Sequence, residues 1–88
     1  MEWSVYLDRP ARKFYERHVK YRLILDRIIT MLKEDPYRAI YKKPKGKCRG
    51  FYVARVGEVR VLYKIYVRER IVRVRAVGLR ENFYEKYC

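Results

Sequence analysis

The chain opens on a short alternation. In "WSVYL" the apolar Trp3, Val5 and Leu7 are separated by Ser4 and Tyr6. An apolar residue at every second position predicts a half-buried strand. Asp8 follows as a candidate N-cap, and Pro10 fits the first turn of a helix running to about Glu16. A second helix is predicted from near Val19. There Tyr21, Ile24, Leu25, Ile28, Met31 and Leu32 recur at three- and four-residue spacing and make one apolar stripe. Pro36 disfavours helical geometry at Asp35, which sets the end of that helix. The stripe predicts packing against a sheet.

The segment "YKKPKGKCRG" breaks the pattern. It is a basic loop interrupted by Pro44, Gly46 and Gly50. Beyond it a period of two returns three times. Tyr52, Ala54 and Val56 share one face, with Phe51, Val53 and Arg55 on the other. Val59, Val61, Tyr63, Ile65 and Val67 alternate with Arg60, Leu62, Lys64 and Tyr66. Finally Val72, Val74 and Ala76 are expected inward, with Arg73 and Arg75 outward. Gly57–Glu58 and Arg68–Glu69–Arg70 are the turns of a three-strand antiparallel meander. The order is β-α-α-β-β-β in a single domain spanning residues 1–88. The fold class is α+β: two helices on one face of a small, mainly antiparallel sheet, with an open basic face opposite.

Charge sharpens that picture. Arg55, Arg60, Arg73 and Arg75 all lie out of phase with the core positions. Together with Lys42, Lys43, Lys45, Lys47 and Arg49 in the preceding loop they predict a phosphate-binding concavity. Lys45, Lys47, Arg49, Arg73 and Arg75 are its expected RNA-binding residues. The whole chain of 88 residues carries a net charge of +13, which repels itself in a compact state and calls for a polyanionic partner. No apolar run approaches the roughly 18 residues of a spanning helix, and "MEWSVYLDRP" does not read as a secretory leader. A membrane partner is therefore not expected, and the location expected is cytoplasmic. Uncharged polar residues are nearly missing: Ser4, Thr30 and Asn82, with no glutamine, a composition that leans toward a hot-living source. Cys48 and Cys88 are expected as free thiols in a cytoplasmic setting. Two cysteines and one histidine make no metal cluster, and no cofactor is expected. His18, among charges in a helical stretch, is expected at the surface.

Several segments together resemble the RelE/ParE toxin superfamily of toxin–antitoxin systems. They are Tyr52 with Arg55, the Gly57–Glu58 turn, the run Arg60–Val61–Leu62–Tyr63, and Gly78, Arg80 and Tyr84 in "VGLRENFY". Each motif is short; their order and spacing carry the resemblance over nearly the whole chain. It implies one of two activities. RelE-like members cleave messenger RNA in the ribosomal A site, and ParE-like members poison DNA gyrase and lack the basic cleavage set. The resemblance of Arg55, Arg60, Arg80 and Tyr84 to the RelE-type set favours the ribonuclease branch. It also implies an acidic RelB-like antitoxin, the ribosome and mRNA as partners.

Metal-free RNA cleavage uses the 2′-hydroxyl as nucleophile against the adjacent phosphate. It requires a proton acceptor, help for the leaving oxygen, and cations to hold the extra phosphorane charge. Guanidinium forks suit the last role. On this reading Arg60 and Arg80 hold the phosphate, Arg55 does the same or positions substrate, and Tyr84 stacks on a base or transfers a proton. Val53 stands where RelE-type strands often carry a second basic residue. The set holds no histidine or carboxylate, so the base is unassigned. A loop lysine, Lys45 or Lys47, is the remaining candidate if crowding by neighbouring cations favours its neutral form. Two other readings stay open: a ParE-like non-nucleolytic toxin, and a plain basic RNA-binding module.

Overall fold

In a computed structural model that describes residues 2–80 and 83, the elements follow the expected order. Strand β1 (Ser4–Leu7) leads into helix α1 (Arg9–Arg17), a single 3₁₀ turn (Val19–Tyr21) and helix α2 (Arg22–Glu34). After the basic loop, with a 3₁₀ turn at Gly46–Cys48, come β2 (Tyr52–Val56), β3 (Val59–Tyr66) and β4 (Ile71–Gly78). Pro10 sits in the first turn of α1, where its missing N–H costs nothing. The helix stops at His18, whose N–H donates to the Phe14 carbonyl. At the other stop Asp35 is extended, and its carboxylate accepts from the N–H groups of Tyr37 and Arg38 at 3.0 and 3.3 Å.

Asp8 departs from its expected role. It occupies the N-cap position of α1 but its side chain makes no cap bond. The carboxylate turns instead to the sheet, accepting from Arg73 Nε at 3.0 Å and Nη2 at 2.6 Å. A charge-assisted fork is a stronger partner than a backbone amide, and it wins here.

The four strands run in the order β1-β4-β3-β2. The last three form the antiparallel meander, and β1 adds parallel to β4, pairing Ser4 with Ile71 and Leu7 with Val74. Gly57 opens the two-residue turn between β2 and β3 with φ of 59°, a conformation that glycine adopts without strain. The free side of β2 is covered by residues 41–42. Tyr41 N–H donates to the Val53 carbonyl, and Val53 N–H donates back to Lys42.

Both helices pack on one face. Leu25, Ile28 and Leu32 of α2 and Ala11 of α1 meet Ala54, Val59, Val61, Tyr63, Val72, Val74 and Val77 of the sheet. Tyr63 is fully buried there, and its hydroxyl donates to the Pro36 carbonyl at 2.7 Å. The register slips between Leu62 and Tyr63, whose β4 partners are Ala76 and Val74, so Arg75 is left without a direct partner. This bulge turns Ala76 to the far face and brings Val77 into the main core in its place. The far face also carries a small apolar cap. Cys48, Val53, Leu62 and Ala76 are buried together, with Phe51 and Phe83 against them. Cys48 is disulfide-bonded, not the free thiol expected; Cys88, the other cysteine in the sequence, lies outside the described residues. Structural disulfides persist in oxidising compartments and inside hyperthermophiles. Among the described residues no helix is long and apolar enough to cross a membrane.

Candidate active site

The far face is organised in rungs across β2, β3 and β4. One rung is Arg55, Arg60 and Gly78, directly paired in register. The next is the apolar Val53, Leu62 and Ala76 of the cap. The pair Lys64 and Arg73 lies beyond it.

The first rung places two guanidiniums on directly opposed positions, an arrangement that repels. The hairpin turn holds both. Arg55 Nε donates to the Gly57 carbonyl at 3.0 Å, and Arg60 Nη1 donates to the Glu58 carbonyl at 3.2 Å. Meanwhile the Glu58 carboxylate accepts the Tyr21 hydroxyl at 2.7 Å, a bond that raises the Tyr21 pKa. The nearest turn carboxylate is thus engaged with the helical layer while its backbone serves the arginine.

The two arginines differ in burial. Arg55 is exposed; its Nη1 donates to Tyr41 Oη at 3.1 Å and its guanidinium lies 5.1 Å from the centre of that ring. Arg60 is only 6% exposed, a buried charge and not the freely accessible head expected from strand phase. The far face is covered at this point. A Cβ built on Gly78, the partner of Arg60, would collide with the Phe83 ring. Gly78 is therefore required for close approach, and not for an unusual backbone angle.

The other expected residues divide into two groups. Arg80, exposed, follows Gly78 by two residues, and its carbonyl accepts the Phe83 N–H. Lys45, Lys47 and Arg49 are exposed on the segment that carries Cys48 onto the apolar rung, beside the arginine rung. By contrast, Arg73 and Arg75 lie toward β1, where both meet the carboxylate of Asp8, Arg75 at 3.9 Å. The structure separates them from Arg55 and Arg60. Tyr84 lies outside the described residues. Two contributors escaped the sequence reading. Tyr41 meets Arg55 only because residues 41–42 pair along β2, a contact no local pattern announces. Lys64 sits between the rings of Phe51 and Tyr66, at 5.5 and 5.6 Å.

Two helices on one face of this four-strand sheet is the fold of RelE toxins. The chain is similar to the toxin–antitoxin complex RelBE2 from Mycobacterium tuberculosis, at a TM-score of 0.79 and 22% identity, over 91% of this chain and 100% of that one. A mutant of the E. coli toxin RelE in the free state gives 0.71 and 19%, covering 99% and 92% of the two chains. The archaeal RelE–RelB complex from Pyrococcus horikoshii gives 0.69 and 21%, covering 92% and 98%. At these identities the likeness is one of fold. No protein-family model and no curated protein sequence matches the chain.

Proposed function

We propose that this protein is the toxin of a toxin–antitoxin system and cleaves mRNA on the ribosome. The observation that carries the reading is the arginine rung. Two like charges are held face to face by turn carbonyls, with a third arginine, Arg80, just past the strand that completes the rung. A phosphate matches two guanidinium forks, and the rung sets two on directly paired positions. Its likeness in fold to proteins solved as toxin–antitoxin complexes supports the same reading.

In this proposal the substrate's 2′-oxygen attacks the neighbouring phosphorus and the bond to the 5′-oxygen breaks. The products are a 2′,3′-cyclic phosphate and a 5′-hydroxyl. The 2′ proton passes to a base and a proton is delivered to the leaving oxygen. Arg60 and Arg80 hold the phosphorane charge and Arg55 orients the strand. Tyr84 stacks on a base or moves a proton. An external scaffold supplies the remaining orientation, which is why a ribosome fits a chain without a tuned acid–base pair. The antitoxin is an acidic, RelB-like segment opposing the +13 surface.

The test is expression without and with the neighbouring reading frame, followed by toeprinting of a translated message. Growth arrest relieved by the neighbour, with A-site cleavage on ribosomes and negligible cutting of naked RNA, is expected. Harmless expression with no binding neighbour would remove the toxin reading. Arrest without RNA cleavage would point to a non-nucleolytic toxin. Tyr84→Phe separates the two roles of that residue: a large loss of rate implicates its hydroxyl, a small one implicates stacking.

A further inference from the structure

A second basic surface lies on the other side of the sheet's end. Arg9, Lys13 and Arg17 recur every four residues along α1 and are all exposed. Four residues of helix advance about 6 Å, close to the separation of neighbouring phosphates along an extended single strand. None of the three has a side-chain partner among the described residues.

Beside this row is an open cleft of about 500 Å³, with Phe14, His18 and Val77 in its wall. The His18 ring stacks on Phe14 at 4.0 Å between centres and 15° between planes. Its Nδ1 lies 3.2 Å from the Phe14 carbonyl, which holds the ring in place. One face of the imidazole is thus covered and the side chain remains exposed, offering a fixed flat surface. A basic row flanked by a stacking ring is the combination that tracks single-stranded nucleic acid.

The cleft also connects with the arginine rung. Val77 lines the cleft, and the next residue, Gly78, completes the rung with Arg60. Strand β1 stops pairing at Val74, so α1 flanks the last residues of β4. The cleft and the rung therefore meet at adjoining residues at the end of β4, on the two faces of the sheet. The exposed aliphatic side chains that a protein partner would grip, Val19 and Leu23 at 65% and 84%, do not line the cleft.

We infer that the Arg9–Lys13–Arg17 row and the Phe14–His18 stack form a subsite for single-stranded RNA adjoining the candidate active site. This rests on the reading of the protein as one that acts on RNA. The test measures binding of a 2′-O-methyl RNA of about twelve nucleotides, which cannot be cleaved by its own 2′-hydroxyl, so the result is independent of cleavage. Replacing Arg9, Lys13 and Arg17 together by alanine is expected to weaken binding at least ~10-fold and to reduce the salt slope by about 2, at roughly 0.7 per lost contact. A control removing the same charge from α2 and the segment after it (Arg27→Ala, Lys33→Ala, Arg38→Ala) should change affinity far less. His18→Ala should weaken binding about five-fold with the salt slope unchanged, and His18→Phe should restore it. Equal weakening by both triple variants would mean a diffuse basic field and overturn the subsite. Intact RNA binding with weakened capture of an acidic protein partner would assign the face to that partner instead. If ribosomal cleavage never occurs while the row governs RNA binding, the cleavage reading falls and the subsite stands.

Discussion

Arg55 and Arg60 face each other across two strands, yet truncating them should have different consequences. Arg55 is exposed and held by a turn carbonyl and a tyrosine hydroxyl. Arg55→Ala is expected to leave stability within about 0.5 kcal/mol while slowing cleavage on saturated ribosomes. Arg60 is buried; under the proposed cleavage mechanism Arg60→Ala should slow the single-turnover step by ~10²-fold or more, the usual cost of losing one preorganised donor. It should also lower the Tm, because the groups packed around it lose their partner. A rate loss with unchanged Tm would show that the burial around Arg60 contributes little. Gly78→Ala tests the same neighbourhood through shape. The added methyl must displace Phe83, and overpacking of this kind costs about 1–3 kcal/mol. An unaltered unfolding midpoint in Gly78→Ala would mean that Phe83 yields freely. Strand phase identified both arginines and their face; it could not reveal burial, which depends on what covers that face from elsewhere in the chain.

Among the elements, the meander and the two helices are legible because their signals are local. Alternation sets the strands, the glycine–acid pair sets the turn, and Pro36 sets the end of α2. The bulge at Arg75 is not legible: Ala76 and Val77 are both small and apolar, so phase alone assigns the wrong one to the main core. Asp8 is similar, since its choice of Arg73 over the helix amides depends on the pairing of β1 with β4. The tie between β3 and the segment after α2, Tyr63 to Pro36, is equally long in range. Tyr63→Phe should cost about 1–2 kcal/mol through the stranded carbonyl, read as a shift in denaturant midpoint at unchanged m. Burial raises the Tyr63 pKa well above its ordinary value. Its contribution is therefore complete below the unfolded pKa of about 10 and is lost as pH rises toward the folded value, because the unfolded chain releases the proton first. Stability should fall above pH ~10 more steeply in the native sequence than in Tyr63→Phe. Equal slopes would place the alkaline sensitivity in other tyrosines, such as Tyr15 and Tyr21.

At the scale of the molecule, the surface charge was plain from composition, whereas the fate of the cysteines was not. The free-thiol expectation rested on a supposed compartment, and the disulfide at Cys48 overrides it. Reduction should destabilise the fold by about 2–4 kcal/mol, seen as a lower Tm in excess thiol; an identical Tm with and without reductant would make the bond dispensable. The parallel pairing of β1 with β4 has a kinetic meaning as well. It joins the first strand to the last, Ser4 to Ile71, while every other strand pairs with its neighbour in sequence. Closing the long loop from Ser4 to Ile71 before any contact rewards it is entropically slow. The hairpins of β2, β3 and β4 should therefore be formed in the rate-limiting transition state, with β1 adding afterwards. Val5→Ala should then accelerate unfolding and barely alter refolding, a φ-value near zero, whereas Val61→Ala should slow refolding. The N-terminal strand would be the last piece to arrive and the first to leave.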